Sequence, residues 1–234
     1  MSASSAAASR PEVGVLIPAA GRGVRAGAGA PKQFRPIGGV PMLLRAIRPF
    51  ARHAAVRHIV VALPLEHAAT PPDWLAALLG DRLVVVPGGA TRTASVRAAL
   101  ARLDPACAVV LVHDAARPFV TTEEIDAVIA AVQQGTGAVP ALPVADTLKR
   151  SDDGLHVAAT VPRDGLWRAL TPQGFTRTML EAAFQARPTA TGLTDEAALV
   201  EAAGGTVVLV AGSAANIKVT TDADFRLAEL VAAG

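Results

Sequence analysis

The chain has 234 residues, of which 51% are hydrophobic and 18% charged, with a formal net charge of +2. This length and apolar content suit one sizeable α/β domain. A near-neutral charge, 3% aromatic residues and the lack of a Lys/Arg cluster argue against nucleic acid as a partner, and no run is apolar enough for a membrane span.

Residues 1–11 are rich in Ser and Ala, without the charged and apolar regions of a signal peptide, and are predicted to be a disordered tail. The single Cys107 excludes an internal disulfide, which indicates a reducing compartment. We therefore expect a cytoplasmic protein in which residues 12–234 form one domain.

Apolar, β-branched runs alternate with helical patterns along the chain. Strands are predicted at residues 13–18, 58–63, 83–86, 108–113 and 206–210. Helices are predicted at residues 42–52, 73–79, 93–103, 122–133, 177–186, 195–203 and 222–232. This alternation predicts a Rossmann-like three-layer α/β domain, with a mostly parallel central sheet and ligands outside the carboxyl ends of its strands.

The first predicted strand opens into a loop of Gly and Ala residues that carries three cations, Arg22, Arg25 and Lys32. Small residues let backbone N–H groups approach a ligand closely, and the cations favour an anionic one. The stretch 15–34 therefore predicts a site for nucleotide phosphates.

Two known phosphate loops can be compared with this one. A Walker loop needs Gly-Lys-Ser/Thr, whereas Lys32 stands between Pro31 and Gln33. The dinucleotide fingerprint G-x-G-x-x-A is satisfied, but the acidic residue that binds a ribose hydroxyl has no counterpart, since residues 35–65 contain no Asp or Glu. The pattern favours a triphosphate, with a dehydrogenase as the weaker alternative.

A second polar cluster follows the predicted strand 108–113. An Asp at the end of such a strand points into the ligand crevice, so Asp114 could hold a divalent cation such as Mg²⁺ on phosphate oxygens. The planar fork of Arg117 could bind an anionic substrate group. The alternative is that Asp114 caps the next turn and pairs with Arg117, and His113 is interpreted as a packed residue.

Two further segments are less specific. In the Gly-rich turn 87–95, backbone groups and the Ser95 hydroxyl could contact a nucleobase, or the turn could be an ordinary strand-to-helix connection. Residues 216–220 place Lys218 in an extended segment, either at the site or on a solvated edge.

Residues 143–166 interrupt the strand–helix alternation with charged residues around a turn at Asp152-Asp153-Gly154, which predicts a hairpin. Such a polar hairpin cannot bury a face of its own. We therefore predict a projecting β-arm used for dimerisation with a second copy, the alternative being a mobile surface excursion.

Seven motifs stand in order between about Val13 and the last helix: Pro-Ala-Ala-Gly-x-Gly-x-Arg at 18–25, Pro-Lys-Gln at 31–33, His-Asp-Ala-Ala-Arg-Pro at 113–118, Asp-Thr-x-Lys-Arg at 146–150, Gly-Leu-Trp-x-Ala-Leu-Thr-Pro-Gln at 165–173, Thr-Asp-Glu-Ala at 194–197 and Asn-Ile-Lys-Val-Thr at 216–220. Through these motifs the chain resembles the 2-C-methyl-D-erythritol 4-phosphate cytidylyltransferase family.

The resemblance implies transfer of CMP from CTP to methylerythritol 4-phosphate, with Mg²⁺, in a cytoplasmic homodimer whose arms complete each other's active sites. It implies CTP contacts at Ala19, Ala20, Gly21, Gly23, Gly88 and Ser95. It implies catalytic cations at Arg25, Lys32 and Lys218. Substrate contacts are implied at Arg117 and Thr171, and at Thr147 and Arg163 from the partner chain, with Asp114 as the metal ligand.

Two positions depart from the family pattern: Ala90 stands where an acid is often found, and Ala215 replaces an Asp. The second change leaves Asp114 as the better metal ligand. A ribitol 5-phosphate cytidylyltransferase remains the alternative of the same class, and a non-catalytic nucleotide-binding module the alternative of another class.

Overall fold

The computed structural model describes residues 12–21, 31–132, 135–187 and 193–234. The predicted tail, together with Gly23 and Arg25 of the phosphate loop, lies outside these ranges. The described strands are β1 Val13–Pro18, β2 Pro36–Ile37, β3 Val40–Pro41, β4 Val56–Leu63, β5 Leu83–Pro87, β6 Val109–Val112, β7 Gly137–Pro143, β8 Leu148–Arg150, β9 Ala159–Val161, β10 Trp167–Ala169, β11 Gln173–Thr176 and β12 Val207–Ala211. The described helices are α1 Met42–Arg52, α2 Leu65–Ala69, α3 Asp73–Ala76, α4 Arg92–Arg102, α5 Thr122–Val132, α6 Arg177–Ala186, α7 Glu196–Ala202 and α8 Asp222–Ala233, and Lys32–Phe34 form a 3₁₀ turn.

An eight-stranded sheet runs through the molecule in the order β10-β7-β11-β6-β1-β4-β5, with β12 paired to β7. Strands β6, β1, β4 and β5 are parallel, whereas β11 runs antiparallel to both β6 and β7. In the parallel half, helices follow the apolar strands. Each helix carries the chain back to the end of the sheet at which the preceding strand began, so the next strand runs in the same direction. The predicted three-layer, mostly parallel α/β fold is confirmed.

Successive side chains of β1 point to opposite faces of the sheet and so belong to two different core layers. Val15 and Ile17 pack into the layer that contains α1 and α5, and Leu16 packs into the layer of α4, α6 and α7. Both faces are therefore covered, and the residues that follow the strands are left at the open carboxyl edge.

A third cluster fixes the end of the chain. Phe225 and Ala228 of α8 pack with Ile37, Met42 and the fully buried Val219. This packing holds the extended segment around Val219 against the carboxyl edge of the sheet, which determines where its neighbour Lys218 can reach.

The 143–166 segment contains a separate two-stranded antiparallel sheet, in which β8 pairs with β9. Its connection carries Gly154 at φ +74°, a left-handed conformation that suits glycine. Leu155 is 80% exposed and Val157 is 62% exposed. The hairpin therefore presents apolar side chains to solvent, away from the two core layers.

The predicted helix at 73–79 is shorter in the structure, as α3 ends at Ala76 and a turn follows. None of the helices in the described ranges has the length and apolar character required to cross a membrane.

Candidate active site

A cavity of about 400 Å³ opens where β1, β5 and β6 end. Its walls come from the residues after β1, the 3₁₀ turn, the loop before α4, the residues after β6, and Lys218. A larger groove of about 1040 Å³ lies between α1 and α5, but none of the predicted site residues that the structure describes lines it. The smaller cavity is therefore the candidate site.

Gln33 fixes the 3₁₀ turn that carries Lys32. The buried Gln33 side chain donates from Nε2 to the Ala19 carbonyl oxygen at 2.8 Å, which joins the turn to the end of β1. Lys32 Nζ donates to the Val219 carbonyl oxygen at 2.7 Å. The Pro-Lys-Gln motif thus sets a cation in the wall of the cavity by anchoring the residue next to it.

The loop before α4 needs glycine because it approaches the loop after β1 closely. A Cβ atom on Gly88 would lie 2.3 Å from the Ala20 Cβ. Ser95 closes the loop: its Oγ accepts the Gly89 N–H at 3.1 Å and donates to the Thr91 carbonyl oxygen at 2.9 Å. The missing side chain of Gly88 leaves room for Ala20, and Ser95 forms part of the cavity wall.

Asp114 is the centre of charge in the cavity. Its carboxylate lies 3.1 Å from Arg92 Nε and 2.8 Å from Lys218 Nζ, and Arg117 Nε is 3.9 Å away. Burial alone would raise the pKa of Asp114, but Arg92, Lys218 and Arg117 outweigh that effect and hold it well below its usual range. Asp114 is therefore ionised at neutral pH.

A buried chain of hydrogen bonds positions Asp114 from behind. His113 Nε2 lies 2.9 Å from the Arg117 carbonyl oxygen, which can only accept, so Nε2 carries the proton and Nδ1 accepts from Thr171 Oγ1 at 3.0 Å. Thr171 Oγ1 in turn accepts the Asp114 N–H at 3.1 Å. Burial lowers the pKa of His113 to about 4, so the ring is neutral and serves as a structural link.

Arg117 is buried beneath Asp114. Its guanidinium donates to the Asn216 carbonyl oxygen at 2.8 Å and to the Ala169 carbonyl oxygen at 3.3 Å. Asn216 Nδ2 donates to Glu124 Oε1 at 3.1 Å and to the Thr171 carbonyl oxygen at 2.9 Å. These contacts tie the 216–220 segment to the residues after β6. Within the described part of the chain, Arg117 Nε and Asn216 Oδ1 are buried without a hydrogen-bond partner.

Sequence reasoning assigned no role to Arg92 or Glu196. Arg92 lines the cavity and bridges Asp114 to Glu196, with 2.6 Å between Arg92 Nη1 and Glu196 Oε2. Arg92 and Glu196 both lie near the start of a predicted helix. No feature of neighbouring residues indicates an ion pair between positions that are 104 residues apart.

One carboxylate faces the cavity as a possible ligand for Mg²⁺. Among the described residues there is no group of three His, Cys, Asp or Glu side chains that could enclose a metal, and both Asp114 oxygens are in ion pairs. Mg²⁺ is commonly held by one or two carboxylates together with substrate phosphates and water. Asp114 fits the role of the single protein ligand in such a site.

The predicted site residues divide into four groups. Those that line the cavity are Ala19, Ala20, Gly21, Lys32, Ser95, Asp114 and Lys218. Gly88, Arg117 and Thr171 lie behind this wall. Thr147 and Arg163 lie at the two sides of the β8–β9 hairpin and do not line the cavity of their own chain, and Gly23 and Arg25 lie outside the described residues.

Comparisons with known proteins match nearly the whole chain to one family. Residues 13–233 match the family model described as 2-C-methyl-D-erythritol 4-phosphate cytidylyltransferase. A relative of that name from Frankia casuarinae is 48% identical over 95% of this chain and 82% of its own length. Another, from Saccharopolyspora erythraea, is 46% identical over 93% of this chain and 98% of its own length.

Solved structures show the same fold. The crystal structure of the enzyme of that name from Thermus thermophilus superposes with a TM-score of 0.80 at 39% identity, covering 95% of this chain and all (100%) of the other. The corresponding structure from Francisella tularensis gives 0.80 at 30% identity, covering 94% and 99%.

Proposed function

The chain belongs to the 2-C-methyl-D-erythritol 4-phosphate cytidylyltransferase family, and from that premise we propose that it transfers CMP from CTP to 2-C-methyl-D-erythritol 4-phosphate. Pyrophosphate is the second product, and the reaction serves isoprenoid precursor synthesis by the non-mevalonate route. The observation that carries this proposal is the cavity at the strand ends, where Lys32 and Lys218 stand around the single carboxylate of Asp114. The family match favours methylerythritol phosphate over ribitol 5-phosphate as the acceptor.

The difficulty of the reaction is electrostatic. A phosphate oxygen of the acceptor forms a bond to the α-phosphorus of CTP, and the bond to the pyrophosphate oxygen breaks. The attacking group is already ionised near neutral pH, so no serine, cysteine or histidine nucleophile is needed. The protein must instead offset the repulsion between two anions and the charge that develops on the leaving group.

Lys32 and Lys218 supply that positive charge from fixed positions. Gln33 anchors the turn of Lys32, and the buried Val219 anchors the segment of Lys218. Arg25 adds a third cation by the family resemblance. Mg²⁺, held by Asp114 and the phosphates, would neutralise charge on the triphosphate. Fixed charges of this kind cost little reorganisation at the moment of reaction.

The small residues at the end of β1 bind the nucleotide. Ala19, Ala20 and Gly21 line the cavity, and a Cβ atom at Gly21 would meet no heavy atom of the described residues within 4 Å, which leaves room for a phosphate on this side. The loop of Gly88 and Ser95 forms the wall beside the cytosine.

The acceptor site is shared between two copies of the chain. Thr147 and Arg163 do not line their own cavity, and the hairpin between them exposes Leu155 and Val157. Arm exchange in a homodimer would bury this apolar surface and bring Thr147 and Arg163 to the partner's cavity, opposite Arg117 and Thr171. Residues 12–234 then act as one cytoplasmic nucleotidyltransferase domain with residues 143–166 as its arm.

The proposal is tested by identifying the products. The purified protein is incubated with CTP, Mg²⁺ and an equimolar mixture of methylerythritol 4-phosphate and ribitol 5-phosphate, and the products are resolved by mass spectrometry. The cytidine diphosphate ester of methylerythritol is expected, together with one pyrophosphate per ester. Formation of the ribitol ester alone, or binding of CTP without turnover, would contradict the proposal.

A further inference from the structure

Four charged side chains form a continuous row from the protein interior to the cavity. Glu196 Oε2 lies 2.6 Å from Arg92 Nη1, and Arg92 Nε lies 3.1 Å from Asp114 Oδ1. Asp114 Oδ2 lies 2.8 Å from Lys218 Nζ. The Glu196 side chain is 1% exposed at one end of this row, and the Lys218 side chain is 48% exposed at the other.

Glu196 begins α7 but does not cap it. The N-cap of α7 is Asp195, whose Oδ1 accepts the Ala198 N–H at 2.9 Å and whose Oδ2 accepts from Gln173 Nε2 at 2.8 Å. A buried ion pair is weak support for stability, because desolvation of the two charges offsets much of their attraction. Capping does not account for Glu196, and its ion pair joins it to the cavity wall through Arg92.

Arg92 is the residue whose orientation Glu196 can fix. The planar guanidinium reaches both carboxylates at once, and its side chain is 28% exposed at the cavity wall. With Glu196 in place, one edge of the fork is held, and the rotamer that directs Nε to Asp114 Oδ1 is fixed. Without it, Arg92 could swing toward the cavity, and the Asp114 carboxylate, no longer held at Oδ1, could turn about its contact with Lys218.

We propose that Glu196 is a positioning residue for nucleotidyl transfer, which acts through Arg92 to orient the Asp114 carboxylate and so the ammonium group of Lys218. The proposal rests on the function given above and deepens it. Glu196 does not itself line the cavity, so the loss of its carboxylate removes no contact to CTP. The effect is therefore expected on kcat rather than on the KM for CTP.

The test compares Glu196→Gln, Arg92→Lys and the double variant in steady-state pyrophosphate release. The number of CTP molecules bound per chain is measured by calorimetry, and each rate is divided by the active fraction that it gives. Arg92→Lys keeps the charge beside Asp114 but cannot span two carboxylates. We expect about a tenfold lower kcat in Glu196→Gln with a KM for CTP within threefold of wild type. In the Arg92→Lys background, the same change should alter kcat less than twofold, because the two residues act as one unit. Glu201→Gln, an exposed position of the same helix, is the matched control and should be unchanged.

A Glu196→Gln variant with a kcat within twofold of wild type would overturn the proposal, as would losses that multiply fully in the double variant. Should Glu196→Gln fail to fold, Glu196→Asp and Arg92→Lys decide the matter: each should lower kcat, and a normal kcat in both overturns the proposal. The wild-type rate separates this inference from the proposed function. An inactive wild type contradicts the function, and an active wild type with unaffected variants contradicts the role of Glu196.

Discussion

Lys218 Nζ lies 2.8 Å from Asp114 Oδ2 at the wall of the cavity. Asp114 follows β6, and Lys218 precedes α8, so the contact forms only after the sheet and the C-terminal helix have packed. It leaves a half-exposed ammonium group next to the space where a triphosphate would bind. The pair joins the two requirements of the proposed chemistry, a fixed anion that can hold Mg²⁺ and a cation that can meet phosphate.

Lys32→Ala removes a second lysine from the cavity wall, one whose Nζ contacts the Val219 carbonyl oxygen. Because positioned charges of this kind contribute roughly 10²–10³ in rate, we expect kcat to fall by at least about 10² while the fold is kept. Steady-state pyrophosphate release and the melting temperature measure the two effects. Arg48→Ala, at an exposed position of α1, is the control. Near-wild-type turnover by folded Lys32→Ala would contradict the proposed role.

Gly88→Ala tests the close contact between the two loops. The new Cβ atom would lie 2.3 Å from the Ala20 Cβ, so the loop after β1 must shift. We expect a loss of about 1–3 kcal/mol in the free energy of unfolding, typical of overpacking, and about a tenfold higher KM for CTP. Gly80→Ala is the matched control, since a Cβ atom there would meet no heavy atom within 4 Å. If both variants behave alike, the loop contact does not shape the CTP site.

Because His113 is buried and neutral, we expect the folded protein to lose stability at low pH. Burial lowers its pKa to about 4 in the folded protein, against about 6.5 in an unfolded chain, so the unfolded state binds more protons below pH 6.5. Stability is therefore lost as the pH falls through the unfolded pKa, by about 2 kcal/mol between pH 7.5 and pH 5. Urea unfolding at fixed protein concentration measures the change, and His113→Asn should lack this component. An equal pH dependence in the variant and the wild type would show that His113 does not titrate as inferred.

Mixing two inactive variants tests the shared site. If the proposed roles hold, Arg25→Ala should damage the nucleotide side of a chain's own cavity, whereas Arg163→Ala should damage the arm offered to the partner. In heterodimers one of the two sites combines an intact cavity with an intact arm, so activity should return in part. Heterodimers isolated with two affinity tags that show no recovery would argue against arm exchange.

The parallel half of the fold and much of the cavity wall could be predicted because each depends on neighbouring residues. The strand boundaries of β1 and the helix α1 follow directly from runs of apolar residues and their period. Strand β7 was missed because Gly137, Pro140 and Pro143 are unusual within a sheet. Strand β11 was missed because Gly174 has no side chain to signal burial, although a Cβ atom there would lie 2.4 Å from Val128 Cγ1.

The row of charged side chains from Glu196 to Lys218 could not be predicted from neighbouring residues either. Arg92 and Glu196 belong to different helices, and their contact depends on how α4 and α7 pack on one face of the sheet. A buried carboxylate beside an N-cap resembles an ordinary capping residue in sequence. Only the fold shows that Asp195 caps α7 while Glu196 turns toward Arg92.

The central claim is that the cavity at the ends of β1, β5 and β6 transfers CMP to methylerythritol phosphate. Pyrophosphate release measured with each of the four nucleoside triphosphates, against both methylerythritol 4-phosphate and ribitol 5-phosphate, tests it most directly. We expect rapid release with CTP and methylerythritol 4-phosphate, a kcat/KM at least about a hundredfold lower for the other combinations, and loss of the signal in Lys32→Ala. Equal release with several nucleotides, or a preference for ribitol 5-phosphate, would contradict it.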